Sequence, residues 1–145
     1  VKFLIALFAL FCTACSTLPP ESESGCSAAT PVNAALDKEF ELPFGKFTAQ
    51  VASTDVSLCI DSILSDSRCP SGAVCVWAGS AAVRLSAYDA VSKTRQLLTL
   101  NTNQTPKEVV FQGYRVAIVD VIPYPRLSVQ TNVSDYKVRL IVAKK

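Results

Sequence analysis

The sequence predicts an all-β fold: a single antiparallel β-sandwich of about seven short strands, with a small β-barrel as the alternative. Three observations point there. Apolar residues from Phe40 onward recur with a period of two, the signature of a strand with one buried face, and not with the helical period. Turn chemistry interrupts the pattern at Asn101 to Pro106, Gln112-Gly113, Pro123 to Pro125 and Asn132 to Asp135. Outside the N-terminal apolar run and its closing cysteine, Cys26, Cys59, Cys69 and Cys75 form an even set, which reads as two disulfides in a small exported domain.

The strands follow in order. Phe47, Ala49 and Val51 alternate with polar residues, and Val56, Leu58 and Ile60 do the same. Val83, Leu85 and Ala87 share one face, with Arg84 and Ser86 on the other. Gln96 to Leu100 and Glu108 to Phe111 are shorter candidates. From Tyr114 to Ile122 both faces are apolar, which predicts a central strand in which Asp120 needs a partner or a wet edge. The last strand is the clearest: Tyr136, Val138, Leu140 and Val142 oppose Lys137 and Arg139, and a slip of one residue would put both charges in the core.

The N-terminal segment has a different character. Lys2 precedes the apolar run Phe3 to Ala14, which is long enough for the core of a signal peptide and short of the roughly 20 residues that span a bilayer as a helix. The run closes on Thr13-Ala14-Cys15, which resembles the lipobox of bacterial lipoproteins, with Cys12 where that motif usually has Leu. The resemblance implies cleavage after Ala14 and lipidation of Cys15. Ser16 to Thr30 is rich in Ser, Glu and Pro with almost nothing to bury, so residues 15–38 read as a tether and 39–145 as the folded domain. Ser16 after the cysteine, by resemblance to lipoprotein sorting signals, implies the outer membrane facing the periplasm. Val1 reads as an initiator from a non-ATG start codon, again pointing to a bacterial gene.

Composition narrows the chemistry. There are 14 Lys plus Arg against 12 Asp plus Glu, too balanced and too scattered for a nucleic-acid footprint. The absence of His removes the commonest general base and zinc ligand. The cysteines lack the spacing of a zinc knuckle or of a Cys-x-x-Cys redox site, so no metal and no cofactor is expected. Of the three possible disulfide pairings, Cys69 with Cys75 is favoured because it closes a tight loop containing Pro70 and Gly72; Cys26 with Cys59 follows.

The most distinctive stretch is DSRCPSGAVCVWAG, Asp66 to Gly79. It is similar to a family of bacterial exported proteins and lipoproteins with an Asp-Ser-Arg-Cys-Pro loop, a second Cys, then Trp and Gly. GYRVAIVDVIPYP from Gly113 and DYKVRLIV from Asp135 resemble the end of that family, so the likeness covers most of Phe47 to Val142. It implies a β domain in the cell envelope and brings no assigned activity.

Two readings of that stretch compete. In the structural one, Asp66 and Ser67 bond the loop backbone, and Arg68 pairs with Asp66 or Asp61. Trp77 shares parity with Val83, Leu85 and Ala87, so an unbroken strand makes it a core residue, whereas a bulge at Gly79 exposes it; burial is expected, at about 3–5 kcal/mol lost on truncation. In the functional one, Asp61, Asp66, Arg68 and Trp77 form a recognition loop. The function expected is a non-catalytic envelope module for a protein, peptide or glycan partner. The alternatives are a hydrolase using Asp61 and Asp66 as a carboxylate pair, or a purely structural envelope protein.

Overall fold

The computed structural model describes residues 30–145 of the chain and is all-β, with nine strands in two sheets. They are β1 (Thr30–Ala34), β2 (Glu39–Pro43), β3 (Phe47–Val51), β4 (Val56–Asp66), β5 (Ala81–Asp89), β6 (Thr94–Asn101), β7 (Glu108–Phe111), β8 (Tyr114–Ile122) and β9 (Lys137–Lys144). One sheet has the order β1-β3-β4-β5-β6 and the other β2-β9-β8-β7. The core lies between them, and Leu58, Leu85, Leu98, Leu100, Phe111 and Leu140 are among its fully enclosed side chains. The sandwich expected from the period of two is therefore present, and the barrel alternative is not.

Two expectations need correction. The folded unit already includes Thr30–Ala34, ahead of the expected start at residue 39, because this segment pairs with Phe47–Val51. That pairing is parallel, so the sandwich is not wholly antiparallel. The strand escapes notice in the sequence because only Val32 and Ala34 alternate with Pro31 and Asn33, too short a run to mark it; its position depends on a distant partner and on packing of those two residues against the core.

β9 keeps the predicted register. Val138, Leu140 and Val142 are fully buried, each contributing about 1.5–3 kcal/mol relative to exposure, while Arg139 pairs with Glu39 at 3.0 Å on the outer face. β8 does not have two buried faces. The β8–β9 register shifts between Ile118 and Asp120, so Val116, Ile118 and Val121 all reach the core while Val119 points out and is exposed. One extra residue reverses the alternation. The bulge also places Asp120 beside a cation.

The registers put unequal connections at the two ends of the sandwich. One end carries the tight turns 35–38, 52–55, 90–93 and 112–113. The last has φ of 48° at Gln112 and 80° at Gly113, the two positive angles of a type I′ hairpin turn. The other end, called here the loop end, carries segments 44–46, 67–80, 102–107 and 123–136. β1 runs parallel to β3 and starts beside segment 44–46, where the Thr30 N–H donates to the Lys46 carbonyl at 2.8 Å; the chain enters the domain from the loop end.

Candidate binding surface

The loop end is built on Arg68. Its side chain is 2% exposed, and all five guanidinium N–H groups have acceptors. Nε and Nη2 grip Asp66 bidentately at 2.8 and 2.7 Å. Nη2 also donates to the Pro123 carbonyl at 3.0 Å, and Nη1 donates to the Val121 carbonyl and to Asp120 at 3.4 Å. The Tyr124 ring lies 4.9 Å from the guanidinium carbon, within cation–π range. Arg68 thus ties the β4–β5 loop to the end of β8, residues more than 50 positions away in sequence.

The Tyr136 hydroxyl donates to the second oxygen of Asp66 at 3.0 Å. Burial opposes ionisation of Asp66, but the hydrogen bonds and charge of Arg68 outweigh it and hold the carboxyl below its usual value. The same pair keeps Arg68 charged: burial works against the cation, and the bonds to Asp66 prevail. For Tyr136, burial and the bond to Asp66 both push the phenol up. Since the Asp66 pKa is depressed on folding, its stabilisation is complete above the unfolded value near 4 and is lost as pH falls through the folded one. Urea unfolding midpoints should therefore hold steady from neutral pH to about pH 5 and drop below about pH 4. An Asp66→Asn variant should show a smaller drop; an identical profile would remove Asp66 as the cause.

From this base the loop rises as a closed hairpin. Ser67 donates to the Ser80 carbonyl from its N–H at 2.9 Å, Cys69 N–H donates to the Ala78 carbonyl at 2.9 Å, and Cys69 is bonded to Cys75. The disulfide confirms the favoured pairing and, on the chain-entropy model, contributes about 2 kcal/mol. Cys59 is disulfide-bonded as well; Cys26, its expected partner, lies outside the described residues, as does Cys15. Segment 102–107 buttresses the hairpin: Thr102 accepts the Ala81 N–H at 2.9 Å, and the Asn103 amide donates to the Gly79 carbonyl at 2.8 Å. On the other flank, Ser71 N–H donates to the Pro125 carbonyl at 2.8 Å.

What the hairpin carries is apolar and exposed. Val74 is fully exposed, Val76 is 89% exposed and Trp77 is 82% exposed. The burial expected for Trp77 is overturned. β5 starts only at Ala81, and Gly79 turns the chain with φ of 68° against the Ser67 backbone, so the strand parity that would place Trp77 inside does not extend to it. Trp77→Ala should change stability by no more than about 0.5 kcal/mol in urea unfolding. A loss near 3 kcal/mol would restore the core reading.

Beside the hairpin, segment 123–136 exposes Tyr124, Leu127, Val129 and Val133. Between them lies an open groove of about 680 Å³ lined by Ser71, Ile122, Tyr124, Arg126, Val129 and Thr131 among others. Sequence reading missed this half of the surface. Its signal was available: residues 69–80 contain no charge, and 123–134 contain only Arg126, so the apolar residues there have almost no charged neighbours.

The four residues expected to form a recognition loop separate. Asp66 and Arg68 are the foundation, and Trp77 is on display. Asp61 belongs elsewhere, accepting from Arg84 Nε at 2.6 Å on the sheet. Each carboxylate of the suggested hydrolase pair is thus committed to its own arginine, and the groove is lined by neither. Among the described residues no group of three His, Cys, Asp or Glu gathers to hold a metal ion, and no helix is long and apolar enough to cross a membrane. No family model matches the chain, and no curated protein or solved structure is similar to it.

Proposed function

We propose that this protein is a non-catalytic lipoprotein of the bacterial cell envelope, anchored through Cys15 at the outer membrane, and that its loop end is a binding surface. One observation carries the binding half of the reading. Val74, Val76 and Trp77 stand in water on a hairpin fixed by a disulfide, a backbone ladder and a buried arginine. A flexible loop could fold such side chains inward, but a braced one keeps them out and presents them with little ordering entropy left to lose on binding. An aromatic anchor with aliphatic neighbours is the usual make-up of a contact centre. The anchoring half is supported by the Thr13-Ala14-Cys15 motif after its apolar run.

Each half has its own test. Labelled palmitate should enter the wild-type chain and not Cys15→Ala, which should leave the membrane fraction or accumulate unprocessed; equal labelling contradicts the anchor. A photo-crosslinking amino acid at Val76 should give a protein or lipid adduct in intact envelopes, while the same group at Lys93, in a turn at the opposite end, should not. Equal yields at both positions, or none at Val76, contradict the binding surface.

A further inference from the structure

We infer that the loop end docks on a lipid bilayer carrying anionic headgroups, with Val74, Val76 and Trp77 entering the interfacial region. The inference deepens the proposed binding surface by naming its partner, and rests on that reading. Three independent features of the loop end converge on this occupant.

The first is shape and polarity. The most exposed apolar side chains sit on a projecting hairpin, with Leu127 and Val129 exposed on the adjoining segment. A projecting group of aliphatic side chains around one indole suits a fluid interface, which closes around whatever enters it. Trp favours the headgroup level, where its ring is buried and its N–H stays hydrated. Because the hairpin tip holds no charge, none has to be desolvated as it enters.

The second is charge. Segments 44–46, 67–80, 102–107 and 123–136 together expose Lys46, Lys107 and Arg126 against Asp135, while the buried Arg68 is shared by Asp66 and the half-exposed Asp120. At the adjoining strand ends the charge of Lys137 is offset by that of Glu108. The apolar tip is therefore accompanied by a slight excess of cations at the same end, which does not repel acidic lipids.

The third is where the chain enters. Ala49 pairs with Leu58, which puts the start of β3 level with Ile60, and β1 starts beside β3. From Ile60 to Asp66 β4 continues about 13 Å further toward the loop end, the rise over the four β5 steps from Leu85 to Ala81 with which it pairs across two register shifts. Even with Cys26 tied to Cys59 as expected, the chain from Cys15 to Cys26 spans at most about 40 Å when fully extended, enough to cover that distance. A lipid on Cys15 and the tip of the hairpin can therefore occupy one membrane surface, and the anchor raises the local concentration of the tip at that surface. The tight turns and Lys145, at the opposite end, face away from it.

As the only Trp in the chain, Trp77 reports the outcome directly. The full-length lipidated protein would be reconstituted in vesicles of phosphatidylcholine and phosphatidylglycerol, with and without brominated acyl chains. The inference expects blue-shifted Trp77 emission, weak acrylamide quenching, and loss of most of the emission to the brominated lipid. Val76→Asp, at an exposed position where the fold is unaffected, should stay vesicle-bound through Cys15 yet return Trp77 to a water-like spectrum. Charge reversal at Lys46, Lys107 and Arg126 together should weaken quenching by brominated lipid in the anionic vesicles.

Protein that pellets with vesicles while Trp77 remains as quenchable as free indole keeps the anchor and overturns the docking. Protein that does not pellet at all overturns both. Protection of Trp77 that needs no lipid and rises with protein concentration assigns the surface to a second copy. Protection that appears only with an added envelope protein assigns it to that protein. Either result overturns the inference.

Discussion

Replacing Arg68 with Met should destabilise the domain by about 3–5 kcal/mol, the cost of leaving one member of a buried ion pair without its partner. Asp66, with 9% of its side chain exposed, would keep only the Tyr136 hydroxyl and the backbone N–H of residue 68, and the carbonyls of Val121 and Pro123 would lose their donor. Against the total of about 5–15 kcal/mol typical of a domain, that is enough to empty the native state or come close. Arg68→Lys should rescue little, because an ammonium offers three donors from one point, while here five acceptors surround a planar fork. Changing Asp66 to Asn in the Arg68→Met background should restore part of the loss, since it removes the stranded charge. Urea unfolding of the four proteins measures this, and a loss below about 1 kcal/mol for Arg68→Met would mean that the ion pair is incidental.

Gly79→Ala should be the next most damaging change. An added Cβ would lie 1.8 Å from the Ser67 carbonyl oxygen and 2.9 Å from the Arg68 Cα, and both are backbone atoms that no rotamer change moves aside. The φ of 68° adds the usual penalty for a side chain in the left-handed region. Relief requires the two arms of the hairpin to separate, breaking the Ser67–Ser80 and Cys69–Ala78 hydrogen bonds. The expected cost is about 3 kcal/mol or more. Gly72→Ala is the control: φ is 91°, but nothing lies within 4 Å, so only the backbone penalty of about 1–2 kcal/mol applies. Equal thermal shifts for the two variants would contradict the close approach at Gly79.

How much of this is legible in the sequence divides along the range of the interactions. β3 to β9 can be read locally, most plainly β3, β5 and β9, which alternate apolar and polar residues on a half-buried surface, while β7 and β8 are marked by apolar runs between turn residues. The Cys69–Cys75 bridge can be read from a short loop with Pro and Gly inside it. β1 cannot, since its place depends on a parallel pairing with residues 17 positions on and not on its own pattern. The bulge in β8 is also silent: Val119 and Val121 look alike as residues, and only the register with β9 decides which one faces the core. Trp77 is the instructive failure. Counting parity backwards from Val83 assumes that the strand continues, and Gly79 stops it. Arg68 is half legible. Its pairing with Asp66 can be read from two nearby positions of one loop, and the structure bears it out; its burial cannot, because Asp120, Val121 and Pro123 come from the other sheet to enclose it. Of the four residues that the sequence offers as a recognition loop, only Trp77 is displayed, while Val74, Val76, Leu127 and Val129 complete the surface.

Trp77 is held in water by a rigid base, and acrylamide quenching of the purified, lipid-free protein tests that most directly. The folded protein should be quenched nearly as strongly as the same chain in denaturant, with similar emission maxima, while far-ultraviolet circular dichroism shows an intact β domain. Strong protection and blue-shifted emission in the folded, lipid-free protein at high dilution would place Trp77 in the core and remove the binding surface.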